Sequence, residues 1–164
     1  MKKSMILPML LILSLSVYSQ TKINSDDLKL VIGTWEGDIT YLDYQSNKPF
    51  TMPANLVVKQ GKNENSLILN NIYPNEPKAN TSDKIKITKN GVLLNKKMVI
   101  SREELENGQL QIQTEYKAKD AGRNAVIRNT YSMGSVIFII TKEVKFEKTA
   151  DWIKRSEFKY ARKK

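Results

Sequence analysis

Chemistry at a protein site needs side chains that move protons, attack, or hold a metal, and this sequence offers few of them. Its 164 residues include no histidine and no cysteine. That excludes a Ser-His-Asp triad, a thiolate nucleophile, and imidazole or thiolate ligands for zinc or haem. The remaining acid–base groups are carboxylates: Glu36, Asp38, Asp43, Glu103, Glu104, Glu115 and Glu143. Acid–base catalysis needs two of them at a defined separation with pKa values pushed apart. Most fall on outward positions of alternating runs, and Glu103 and Glu104 suit a solvated turn. No dense Asp-x-Asp stretch of the calcium-loop kind occurs. No enzymatic activity, no cofactor and no metal are expected.

The charge balance is basic, with 27 Lys and Arg against 17 Asp and Glu, a net charge of +10. The cations are scattered except in the tail Lys154–Lys164. Such a surface keeps the chain soluble and draws it toward anionic partners without bearing on the fold. No nucleic-acid-binding motif is present, so peripheral contact with an anionic membrane surface or attraction to an acidic ligand is the sharper reading and a solvated lysine-rich exterior the blander one. A monomer is expected.

Two elements of the chain organise these residues. The first is the N-terminus. Lys2 and Lys3 precede an apolar run, Ile6–Val17, and Val17-Tyr18-Ser19 offers a cleavage site before Gln20. This is the layout of a signal peptide over residues 1–19. The run is shorter than the roughly 20 apolar residues of a spanning helix and contains Pro8. Export to the periplasm or the medium is expected. Without cysteine the product cannot be a lipoprotein, and it cannot use disulfides to stabilise its core.

The second is residues 20–164, read as one domain made of short strands. Trp35, Gly37, Ile39 and Tyr41 alternate with Glu36, Asp38 and Thr40 in the run Gly33–Tyr44, the period of a half-buried strand. Further runs are Phe50–Gln60, interrupted at Pro53, then Ser66–Ile72, Lys84–Lys89, Val92–Ile100, Gln109–Ala118, Arg123–Ser132, Ser135–Glu147 and Trp152–Ala161. Asn90-Gly91, Asn107-Gly108, Asp120-Ala121-Gly122 and Met133-Gly134 supply the turns between them. Ser25 caps a short helix over Ser25–Val31 with Asp26 and Asp27 in its first turn. Ser101–Leu105 could form another single helical turn. Many short strands joined by tight turns argue for a sandwich or an up-and-down barrel, and the sequential hairpins favour the antiparallel barrel of 8–10 strands. Nine alternating strands would leave the first and last parallel. Either the ninth lies outside an eight-stranded barrel, or one strand is missed or merged.

A short helix followed by Gly33-Thr34-Trp35 at the head of the first strand resembles the Gly-x-Trp signature of the lipocalins, within the calycin superfamily. The resemblance implies an up-and-down barrel that holds one small ligand, with Gly33 and Trp35 structural and a late arginine packed across the tryptophan at the closed end. Avidin-like barrels share the motif but use several tryptophans for biotin, and only Trp35 and Trp152 are present. Nitrobindin-like barrels need a histidine for haem. Strand parity places Arg155 over Trp35 and Arg162 at the opposite end. It also brings the two longest connections, Tyr73–Asp83 and Ser101–Gly108, to one open mouth. Tyr41, Tyr73, Leu110, Tyr131 and Phe138 converge there, with Asn71 as an amide handle. Such a mouth suits a small apolar or amphipathic molecule. The alternative is a non-enzymatic envelope interaction module whose barrel is filled by its own side chains.

Overall fold

The computed structural model describes residues 21–164. The signal-peptide reading, residues 1–19 with Gln20 as the new N-terminus, lies outside the described residues. In chain order the elements are α1 (Ser25–Lys29), β1 (Gly33–Leu42), β2 (Pro49–Pro53), β3 (Asn55–Gln60), β4 (Ser66–Ile72), a 3-10 turn (Pro77–Ala79), β5 (Thr81–Thr88), β6 (Leu93–Leu94), β7 (Lys97–Glu104), β8 (Leu110–Asp120), β9 (Arg123–Met133), β10 (Ile137–Phe146) and β11 (Ile153–Arg162). Each strand pairs antiparallel with its neighbour in sequence, and β11 returns to pair with β1, Trp35 opposite Arg162. β2 and β3 both pair with β1 and form one wall strand interrupted at Ala54. Among the described residues this is a closed antiparallel barrel of ten strands.

The parity problem is resolved by β6. The run read as one strand, Val92–Ile100, is two, folded back at Asn95-Lys96, which both hold positive φ (50° and 64°). Asn95 Oδ1 accepts the Lys86 backbone N–H at 2.8 Å, which fixes the turn against β5. The extra reversal makes the strand count even, so β1 and β11 close antiparallel. It also inverts the expected polarity of every later strand. The turns after β7 and β9 lie at the Trp35 end, and those after β8 and β10 at the open end. The expected pairing of the Tyr73–Asp83 and Ser101–Gly108 loops at one mouth is therefore wrong. The connection Tyr73–Asn80 shares the open end with the β1–β2 loop at Asp43–Lys48 instead. Ser101–Glu104 is strand, not a helical turn.

The helix α1 stops up the Trp35 end. Its N-cap is Asn24, not Ser25: Asn24 Oδ1 accepts the backbone N–H groups of Asp26 and Asp27, and Asp27 returns a carboxylate to the Asn24 N–H. This reciprocal pair satisfies orphan donors of the first turn. Buried Asp27 also receives Arg102 of β7 in a two-pronged ion pair at 2.8 and 3.0 Å, which fastens the helix to the barrel. Leu28 and Val31 point into the main core with Trp35, Leu56, Leu67, Leu94, Ile112, Met133, Phe138 and Tyr160. A second, smaller core of Ala125, Ile127, Val144 and Phe146 fills the far tips of β8–β10.

Candidate ligand-binding site

The inner wall can be followed as rows of residues opposite one another on successive strands. Because barrel strands tilt, each row climbs as it passes around the wall. The deepest row on the β8–β11 side is Leu110, Met133, Phe138 and Tyr160, meeting Gly37 on β1. All four side chains are buried. The next row is Ile112, Tyr131, Ile140, Phe158 and Ile39. Here the burial changes: Ile112 and Tyr131 are buried, while Ile140, Phe158 and Ile39 are half-buried. The third row is polar: Thr114, Asn129, Lys142, Ser156 and Tyr41. It climbs from fully buried Thr114 to half-exposed Tyr41 at the rim. Above it the wall is apolar again, with Tyr116, Ile127, Val144 and Ile153. The opposite wall ends in Asn71, Thr81 and Asp83, where the Asn71 amide donates to Thr81 Oγ1 at 3.1 Å and to Asp83 Oδ2 at 2.7 Å. The barrel is thus packed solid below; above, the β8–β11 wall carries its own buried core while the facing wall, at Phe50, Thr81 and Asp83, is exposed.

The structure divides the residues expected at the mouth. Tyr41 is there, its ring 5.4 Å from exposed Phe50. Asn71 and Tyr73 are there on the facing wall, and burial, then the Asp83 charge, push the Tyr73 hydroxyl up. Tyr131 sits deeper, at the edge of the packed core, with its hydroxyl pushed up to about 12 by burial. Leu110 and Phe138 are not mouth residues. They begin β8 and β10 at the Trp35 end, because the reversal at β6 inverted those strands, and they form part of the floor. Phe138 packs 5.9 Å from Trp35. Thr114, Asn129, Lys142, Ser156 and Phe158 were missed. Polar residues on the inward phase of apolar strands were the signal that could have revealed them.

Gly33 and Trp35 hold the closed end. Trp35 is fully buried and donates from Nε1 to the Val31 carbonyl at 2.8 Å. The arginine across its ring is Arg162, 4.2 Å from the ring centroid, and not Arg155. Arg162 also donates to the carbonyls of Ile32 and Leu30 at 2.8 and 2.7 Å, and to that of Ser135. Gly33 makes room for it: at φ +140° a Cβ there would lie 2.5 Å from Arg162 Nη1.

Arg155 lies at the open end, buried in an ion cluster. Its Nε donates to Asp120 Oδ2 at 3.0 Å, while Lys142 Nζ (3.2 Å) and the Tyr44 hydroxyl (2.8 Å) donate to Oδ1. Burial favours protonation of Asp120, but the bonds from Tyr44 and Lys142 and the charges of Lys142 and Arg155 outweigh it and hold the carboxyl below its usual range. Tyr44 belongs to the β1–β2 loop, so the cluster straps that loop to the tip of β8. Of the other candidate carboxylates, Glu36 pairs with Lys163, Glu104 with Arg102 and Glu115 with Arg128, Asp43 accepts from Ser46 within its own turn and Glu103 from Ser101, while Asp38 and Glu143 have no side-chain partner among the described residues.

No protein-family model matches the chain, and no curated protein matches it. Among solved structures, Rv2717c from M. tuberculosis is similar in fold. Its alignment covers 88% of this chain and 100% of that one at 8% identity, with a TM-score of 0.50. A likeness at that identity speaks to the fold alone. Among the described residues the chain is a closed antiparallel ten-strand β-barrel, and the likeness extends to that fold alone.

Proposed function

We propose that this is an exported, non-enzymatic, lipocalin-like protein that holds a small apolar or amphipathic molecule in the open half of its barrel. One observation carries the reading. Ile39, Tyr73, Ile140 and Phe158 on the inner wall border the main core and Tyr116 borders the tip core, yet these side chains and Tyr41 are only half-buried. Inward-facing apolar surface in contact with water is what a ligand covers. Displacement of a fluorescent fatty-acid probe by candidate ligands tests this. Wild type should bind the probe, and Phe158→Ala should weaken binding while leaving cooperative unfolding intact. Lack of binding across a panel of apolar probes would overturn it. Intact mass of the protein recovered from its host tests export, since an N-terminus at Gln20 is expected.

A second reading has its own support on the outer face. A groove of about 290 Å³ over Ile68 is flanked by Lys62, Lys84 and Lys86. Cations around an apolar furrow suit an anionic membrane surface. Flotation with phosphatidylglycerol vesicles, absent with phosphatidylcholine, would favour that interaction module.

A further inference from the structure

Three of the four strand residues in the polar row inside the barrel, Thr114, Asn129 and Ser156, have no side-chain hydrogen-bond partner among the described residues; the fourth, Lys142, reaches Asp120. Thr114, Asn129, Lys142 and Ser156 lie side by side on β8, β9, β10 and β11, with an apolar row below and another above. A strand wall that only had to pack would continue the apolar alternation through this level. Thr114 is 1% exposed, and its hydroxyl has no hydrogen-bond partner among the described residues; the same holds for the Tyr160 hydroxyl, also 1% exposed. Leaving such a group unpaired costs about 1–3 kcal/mol, so a bound polar atom at this level would relieve a standing penalty.

The charge of this wall is uneven. Lys142 and Arg155 share the single carboxylate of Asp120. Lys97, on the inner face of β7, holds its ammonium 3.8 Å over the Tyr116 ring and forms no ion pair among the described residues. With Arg123, which lies over the Phe146 ring, four cations therefore stand on the inward phase of this side against one carboxylate. The facing wall carries Asp83, tied to Asn71. An anion entering the mouth is repelled from the β4–β5 side and drawn to the β8–β11 side.

We propose that the ligand is a short amphipath with one carboxylate head, held by Lys142, Asn129, Thr114 and Ser156. This rests on the carrier reading above and adds the chemical class of the ligand and its orientation. The head lies along the polar row. The apolar part lies against Ile39, Ile140 and Phe158, the half-buried side chains of the row below. Its length is limited, because adjacent inner rows are about 7 Å apart at the rise of a strand and the next row down is packed. A chain of about eight carbons fits that depth better than a long one.

Calorimetric titration of the folded protein with octanoate and with octan-1-ol separates the head from the tail. Octanoate should bind at least tenfold more tightly than octanol. Lys142→Met should abolish that preference by weakening octanoate while leaving octanol unchanged, and Asn129→Leu should act in the same direction. Amide and side-chain NMR shifts of the wild-type protein on adding octanoate should centre on Thr114, Asn129 and Lys142, a readout that stands even if a variant fails to fold. Equal affinity for the two probes, or shifts confined to the outer face, would overturn the inference while leaving an apolar carrier intact. Failure of both octanoate and octanol, with binding of other apolar probes, would also overturn the carboxylate assignment alone. Failure of every probe would remove the carrier reading together with it.

Discussion

At the scale of single residues, the closed end and the lumen ask opposite things of their side chains. Trp35 is surrounded on every side: Val31 accepts its N–H, Phe138 packs on one edge and Arg162 lies over its face. Trp35→Ala should cost about 3–5 kcal/mol, the range for deleting a buried large aromatic. Denaturant unfolding measures it, and a loss below about 1 kcal/mol would mean the ring is not a core element. Thr114 is the reverse case. Its buried hydroxyl has no partner, so Thr114→Val removes a penalty while keeping the shape. The variant should be more stable than wild type by about 1 kcal/mol. It should also hold a carboxylate ligand less well, so that stability rises as binding falls. Both signs are read from one melting series with and without octanoate.

At the scale of elements, the decisive piece is the smallest. β6 has two residues, yet it sets the direction of every later strand. The turn that creates it places Lys96 at φ 64°, a left-handed conformation that a lysine adopts at a cost and a glycine without one. Lys96→Gly should therefore stabilise the protein by about 0.5–1 kcal/mol. Unchanged or reduced stability in thermal unfolding would argue against the two-residue reversal. Asn90-Gly91 was legible as a turn because glycine advertises its conformation. Asn95-Lys96 was not, because only its asparagine is typical of such turns and its neighbours Leu93, Leu94 and Met98 read as one continuous apolar run. Gly37 shows the same limit. A Cβ there would lie 2.0 Å from the Lys159 carbonyl oxygen, at the point where β1 changes partner from β3 to β2. The alternation of β1 was plain in the sequence, but its change of partner was not.

At the scale of the whole molecule, the barrel has two cores of unequal size, and an ion cluster straps the β1–β2 loop beside the smaller one. The main core lies under Trp35 and α1; the tip core lies at the far ends of β8–β10 and is bordered by the Asp120 cluster. The Asp120 carboxyl is held below its ordinary value in the folded state. Its contribution to stability is therefore fully present above the usual carboxylate pKa, ~3.9. It is lost as pH falls from there through the lower folded value. Acidification should loosen the tips before the plugged end. Hydrogen exchange should show amides of the β8–β9 tip losing protection below about pH 4 while those around Trp35 remain protected. Asp120→Asn should cost about 3 kcal/mol at neutral pH, because buried Arg155 loses its counter-charge, and should flatten the acid limb. Uniform loss of protection along the barrel would contradict the two-core picture.

The sequence by itself determined the all-β fold class, the succession of short strands and the short helix at their head. Those features follow from local rules: a period of two along a strand, turn residues that tolerate positive φ, and an acidic first turn after a capping side chain. The absence of histidine and cysteine likewise removed whole classes of chemistry without reference to any geometry. Which residues meet at each end was decided only by the tertiary structure. Direction along a meander is cumulative, so one unread reversal at Asn95-Lys96 exchanged Arg155 for Arg162 over Trp35 and moved Leu110 and Phe138 from the mouth to the floor. The polar row was hidden for a related reason. Thr114, Asn129, Lys142 and Ser156 stand more than ten residues apart in the chain and become neighbours only when four strands align in register.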